Sequence, residues 1–431
     1  MKSNFITTLF IRLCFFFTFL TWGCNPKIAK NTISYSDADV IGTPYKKTDQ
    51  ISIDIYVDAT TSMEGFAVNN SSKYSQFLDQ LEASGMSAWK NADIKFFKFG
   101  QIIKPIDRNQ FLTAKNDLQF YRDPAVFKDT YIDSVVKNTD SKRLSVLITD
   151  LFQTEGDVNT MVEKIKEKCF ANNIAVGIVG IKTDFKGTVY DVPGQRPYAL
   201  TTTERPFYAI IFGNNDNLNF LFDILKTKSF VNEDQVFIFS KYIIESFKPS
   251  LLKTSESKFV NNMTKPAADD MYNVFDFNIL KGGKEAHFDL KLDLKRRKRA
   301  ADFLEKNLEV IAFRKSSTGD KSATAHDSIA TNDISIENIK RNGDVLTATL
   351  LLNNQEEAGN YSYIIYLKPN ELSGLQMPKW IRDFSTENPV PGTPSASQTL
   401  NLEKLSSRLL LAQASISPIY IAKLYINIFK H

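Results

Sequence analysis

The chain has 431 residues, enough for two domains. Its 53 lysines and arginines stand against 49 aspartates and glutamates, a net charge of +4. So small an excess argues against a nucleic-acid-binding protein.

At the N-terminus Lys2 and Arg12 flank a polar-to-apolar stretch, and Leu13 to Trp22 (LCFFFTFLTW) forms an apolar run ahead of Gly23-Cys24. The run is too short to span a bilayer and fits the apolar region of a signal peptide. A cysteine directly after a small residue at the cleavage point resembles the lipobox of bacterial lipoproteins. Thr21 stands where that motif usually has Leu, and Leu20 lies one place earlier. The resemblance implies a signal peptide over 1–23 and a diacylated Cys24 as first residue of the mature chain. Two acyl chains then hold it to a membrane where one would not. The alternative is an ordinary signal peptide with an incidental cysteine. Asn25 to Lys30 carry no acidic cluster of the kind that marks surface export, so the expected place is the cell envelope, lipid-anchored and facing the periplasm. Loss of the two leader cations, Lys2 and Arg12, lowers the net charge to about +2. With Cys14 removed and Cys24 lipidated, only Cys169 remains, and no intramolecular disulfide can form. Val158, Val162, Ile165 and Cys169 share a helical face, which makes Cys169 a small buried hydrophobe.

Residues 24–50 lack a sustained period and read as a tether. Strands and helices alternate from 51 to about 245. Ile51–Val57 alternates with period two, and Tyr74–Ala83 is a helix with Tyr74, Phe77, Leu78 and Leu81 on one side. Ile94–Phe99 is a strand and Thr130–Asn138 a short helix. Leu144–Thr149 is a continuous apolar strand of the kind buried on both faces. Asp157–Asn172 is helical, Ile174–Ile181 and Pro206–Phe212 are strands, Leu218–Leu225 is a helix and Val236–Ser240 a short strand. This order predicts an α/β fold with a doubly wound, mostly parallel sheet, whose ligands bind at the carboxyl ends of the strands.

From 265 to 375 the texture changes. Val274–Ile279, His287–Leu292, Leu308–Phe313, Ile334–Ile339, Val345–Leu352 and Tyr361–Leu367 are separated by Gly282-Gly283, Asn342-Gly343 and Gly359-Asn360. Successive strands with turn signals predict a β-sandwich-like domain. Residues 376–431 hold a Pro/Gly/Ser loop, an amphipathic helix near Leu400–Gln413 and an apolar strand Ile419–Ile428 that packs on one of the domains. Lys295–Arg299 (KRRKR) reads as a solvated turn, with contact to anionic lipid or cell-wall polymer as the alternative. Trp380, after Pro378, is expected to plug an interdomain joint.

The first strand ends in Asp58, Thr60 and Ser62. One carboxylate and two hydroxyls on a tight turn make half the shell of a hard cation such as Mg2+ or Mn2+. The alternative is that they cap the following helix. Thr130 opens a later helix and Asp150 ends the strand LSVLITD. Asp-x-Thr-x-Ser, then a Thr before a helix, then an Asp ending a buried strand resembles the von Willebrand factor type A domain over residues 51–240. That resemblance implies a metal-ion-dependent adhesion site. Thr60, Ser62 and Thr130 would ligate through hydroxyls, and Asp58 and Asp150 directly or through water. Thr60 replaces the family's first serine, Leu151 its usual glycine, and Lys128-Asp129 the small residues before Thr130, with Thr113 and Thr139 as other candidates for that ligand. Tyr121-Arg122-Asp123 lies where it can reach the rim.

An enzyme is the rival reading. The Asp-x-Thr strand end also resembles the nucleophile loop of phosphate-transferring hydrolases, but Ala59 stands where a second Asp is needed. His287, His326 and His431 all lie outside the domain that bears the site. The expectation is therefore a non-enzymatic protein-binding module. A partner envelope protein completes the metal shell with an acidic side chain, and neither nucleic acid nor a small-molecule cofactor is involved. The alternatives are a metal-free scaffold that binds through the β-sandwich and a metal-dependent phosphoester hydrolase.

Overall fold

The computed structural model describes residues 46–431 apart from 124, 152–157, 193–195, 229, 256–259, 263–272, 284, 316–327, 354–357 and 371–372. The leader, Cys24 and most of the expected tether lie outside the described residues, as does His326. No helix among the described residues is long and apolar enough to cross a membrane.

The first sheet is built outward from β1 (Ser52–Asp58), which pairs in parallel with β2 (Asp93–Phe99) on one side and β4 (Arg143–Thr149) on the other. Ile53, Ile55 and Val57 are buried on one face of β1, and Tyr56 stacks on Phe97 on the other. Helix α1 (Lys73–Ala88) makes the crossover, its start capped by Ser72, whose hydroxyl accepts from the Ser75 amide. Its Tyr74, Phe77, Leu78 and Leu81 are buried together. The edge strand β3 (Ile103–Ile106) runs antiparallel to β2 and leads into α2 (Arg108–Thr113), which opens with a capping box between Asp107 and Gln110. Short α3 (Ile132–Val136) precedes β4, and α4 (Val158–Lys168) follows it.

The second half of this sheet departs from the expected parallel order. β5 (Ala175–Val189) and β6 (Tyr198–Gly213) form a long hairpin, and β6 lies between β4 and β5, antiparallel to both. Beyond α5 (Asn215–Thr227), β7 (Val236–Phe239) pairs antiparallel with β5. The order is β3-β2-β1-β4-β6-β5-β7, a mixed sheet in an α/β domain, parallel only across β2-β1-β4. Continuous apolar runs report burial on two faces and not direction, and the hairpin turns β6 back.

Two further sheets face each other as a β-sandwich-like body. One has four strands: β8 (Ile244–Ser255), β11 (Ala286–Arg296), β16 (Val345–Leu352) and β15 (Ile334–Asn342). The other has six, in the order β14 (Ser328–Ala330), β13 (Leu308–Lys315), β17 (Gly359–Pro369), β21 (Ala422–Lys430), β10 (Val274–Ile279) and β9 (Val260–Asn262). All neighbours are antiparallel except β10 and β21. Phe277 and Phe288 meet in the core with ring centroids 4.6 Å apart. The β15–β16 turn places Gly343 at φ +61, a conformation that a two-residue hairpin loop asks of glycine. Two small ribbons, β12 (Asp302–Phe303) with β18 (Leu375–Gln376) and β19 (Ser385–Thr386) with β20 (Thr399–Leu400), flank the last helices, α6 (Lys379–Asp383) and α7 (Leu402–Ile416).

The C-terminal segment belongs to both halves. Leu402, Leu405, Leu409 and Leu410 of α7 share one core with Met161, Val162 and Ile165 of α4, after which β21 enters the six-stranded sheet. Trp380 stands over Gly180 of β5, where an added Cβ would lie 2.8 Å from its ring. Its ring also meets Phe384, with centroids 5.4 Å apart.

The cationic run is the clearest difference from the sequence reading. Lys295 and Arg296 pair with Glu245 and Asp344, but Arg297 and Arg299 are buried. Arg299 donates to Asp223 Oδ1 at 2.8 Å, Glu233 Oε2 at 2.9 Å and the Asn219 carbonyl at 2.9 Å. Arg297 reaches Asp216 at 3.4 Å. Alternate residues of the run turn inward, where carboxylates of the first domain meet them, so two of the five cations clamp the halves together instead of facing solvent.

Candidate strand-end site

β1 delivers Asp58 to the carboxyl end of the sheet, and the chain leaves through an extended Thr60 (φ −76, ψ 159) into a 3-10 turn, Thr61–Phe66. That geometry turns Thr60 back on Asp58. Asp58 Oδ1 accepts from the Thr60 amide at 3.0 Å and from Thr60 Oγ1 at 2.7 Å. Oδ2 accepts from Thr149 Oγ1 at 2.8 Å and from Thr130 Oγ1 at 3.1 Å. With the Thr60 proton committed to Asp58, Ser62 Oγ, 3.1 Å away, is the donor to Thr60.

Asp58, Thr60, Ser62, Thr130 and Asp150 are all buried. Burial raises the Asp58 carboxyl above its ordinary value, while hydrogen bonds from Thr60, Thr149 and Thr130 oppose the rise. Asp150 follows Thr149 off the end of β4, and Leu151 after it has φ +65. Leu151 thus adopts the left-handed backbone that favours glycine, the residue usual there in the family the sequence resembles. Beside Thr130, Asp129 Oδ2 accepts from Gln101 at 2.9 Å, and the Tyr131 amide donates to the Gly100 carbonyl at 3.2 Å.

Below the cluster Tyr74 donates to Tyr121 at 2.8 Å, and Tyr121 donates to the Ala114 carbonyl at 2.5 Å. Burial raises both phenols, and the charge of Asp58 adds to the rise. Arg122 reaches the rim, where it pairs with Glu64 of the 3-10 turn.

The structure therefore brings Asp58, Thr60, Ser62 and Thr130 into one hydrogen-bonded group, with Asp150 at the adjoining strand end. Thr113 and Thr139 are elsewhere, bonded to the carbonyls of Gln110 and Val136. Sequence reasoning missed Thr149 and the tyrosine pair. Thr149 was within reach, as the residue next to Asp150 on a strand parallel to β1. Cys169 is fully buried, its thiol pushed up to about 12 by burial.

The expected Mg2+ or Mn2+ is a correction. Among the described residues no group of three or more His, Cys, Asp or Glu side chains is placed to hold a metal ion. The cause is visible at Asp58. Its two oxygens already accept four hydrogen bonds from the chain, two at each. A hard cation that wants about six oxygens meets a group that is already satisfied. The metal-dependent adhesion site falls with the ion. What the cluster does is tie three segments to one buried carboxylate.

No protein-family profile matches this chain, and no curated protein matches it either.

Proposed function

We propose that this chain is a membrane-tethered, metal-independent scaffold of the cell envelope that binds another protein through its β-sandwich. The observation that carries the reading is the hydrogen bonding of Asp58: Thr60, Thr130 and Thr149 satisfy both of its oxygens without an ion. On this reading the first domain keeps a type A-like frame whose strand-end cluster is structural. Its second role is to hold the sandwich, through Arg297, Arg299 and Trp380, in one fixed attitude. The tether rests on the resemblance of Leu13–Cys24 to a lipoprotein leader. Non-enzymatic binding suits a cluster whose central carboxylate already accepts four hydrogen bonds.

The test is capture of envelope proteins by the full chain, once with Mg2+ and once with a chelator, followed by cross-linking. Equal capture in the two, with cross-links confined to residues 274–369, supports the reading. Capture lost with the chelator, or cross-links gathered on the loops around Asp58 and Thr130, overturns it.

A further inference from the structure

β21 follows every other strand of its sheet in the chain, yet it is a middle strand. β21 pairs with β17 from Gly359 to Leu367 and with β10 from Val274 to Ile279. Without it, β10 and β9 share no edge with β14, β13 and β17. Leu424, Ile426 and Ile428 of β21 are buried, and so are Lys423 and Tyr425 on the alternate positions, so both faces of the strand are covered. Asn427 ties the three strands in one row. Its amide donates to Asp276 Oδ1 at 2.8 Å, and its carbonyl oxygen accepts from Ser362 Oγ at 3.0 Å.

Asn427 and Asp276 are 151 positions apart. A parallel pairing of that span gains nothing until the whole intervening loop is closed, and such contacts form late. The remaining attachment of β10 within its sheet is slight, because β9 pairs with it only from Val260 to Asn262. The helix ahead of β21, α7, meanwhile docks on α4 of the other half. One C-terminal segment thus completes the sandwich core and the joint.

We propose that β21 is a closing strand: the six-stranded sheet stays open until residues 422–430 enter the slot between β10 and β17, and β10 becomes structured only in that step. The slot is a binding site for one extended strand with apolar residues at alternate positions, filled by the chain itself.

Pulsed hydrogen exchange with mass spectrometry, on the full chain during refolding, reads this directly. Amides of 274–279 are expected to gain protection in the same kinetic phase as those of 422–430. Protection of 274–279 in an earlier phase overturns the proposal. Ile426→Val removes one buried methylene and leaves the fold in place. It is expected to slow protection of both segments equally, by about two- to tenfold. Slowing confined to 422–430 overturns it as well.

Discussion

Arg299 Nη2 meets Glu233 Oε2 at 2.9 Å, and the contact joins the β-sandwich to the α/β domain. The same guanidinium reaches Asp223 and the Asn219 carbonyl, while the Arg299 carbonyl accepts from the Ile238 amide at 2.7 Å. The residue holds φ +63 to do so. Arg299→Ala is expected to lower the unfolding free energy by about 1–2 kcal/mol, because the Asn219 carbonyl and Asp223 lose its guanidinium while Glu233 keeps only Lys226. Arg299→Lys is expected to recover little of that, since a point ammonium cannot serve three acceptors in the fork geometry. Urea unfolding of the three chains measures both. An Arg299→Ala chain as stable as the parent would show that apolar packing alone holds the joint.

The joint is also expected to loosen in acid. Burial acts to raise the Glu233 carboxyl, but hydrogen bonds and charge from Lys226 and Arg299 outweigh it, and the group lies below its ordinary value. Asp302 is likewise lowered, by Arg341, the Phe303 amide and Arg296 against its burial. Both bind protons less readily folded than unfolded. Their stabilisation is complete above the unfolded values, about 4, and is lost as pH falls through the lower folded ones. Melting temperature against pH should fall below about pH 4, and less steeply in Glu233→Gln. Equal slopes in the two chains would remove Glu233 from the account.

Asp58 is expected to matter for folding. Asp58→Ala strands the Thr60 amide and the hydroxyls of Thr60, Thr130 and Thr149 in a buried space, a loss of about 2–4 kcal/mol. Thermal unfolding with Mg2+ and with a chelator should give the same decrement. A decrement seen only with Mg2+ would contradict the self-contained network.

Leu151 offers the opposite sign. Its left-handed backbone costs about 1 kcal/mol in a residue with a Cβ, and Leu151→Gly relieves it while giving up a half-buried side chain. The expected change lies between neutral and a gain of about 1 kcal/mol. A clear loss of stability would mean that the Leu151 side chain contributes more than the backbone strain costs.

Much of this was readable in the sequence where one residue's surroundings lie close along the chain. The period of Ile53, Ile55 and Val57 marks β1, and the spacing of Tyr74, Phe77, Leu78 and Leu81 marks α1. Asp58, Thr60 and Ser62 were read from one strand end, and Thr130 joined them only through the family resemblance. What stayed hidden depends on distant partners. The direction of β6 is set by its hairpin with β5, and an apolar run reads the same either way. The arginines at 297 and 299 read as solvated because Asp216, Asp223 and Glu233 are far off in sequence. At Asp58 the side-chain types fit a metal shell, and only the folded structure shows its carboxylate already accepting four hydrogen bonds.

The placement of β21 bears on how the chain is made and handled. A ribosome makes residues 422–430 after every other strand of this sheet, so a sandwich lacking its middle strand emerges first. A protease cut ahead of Ala422 severs a core strand from its sheet. The His431 amide still donates to the Ile279 carbonyl at 2.9 Å, so the hydrogen bonding of β21 to β10 runs on past Lys430.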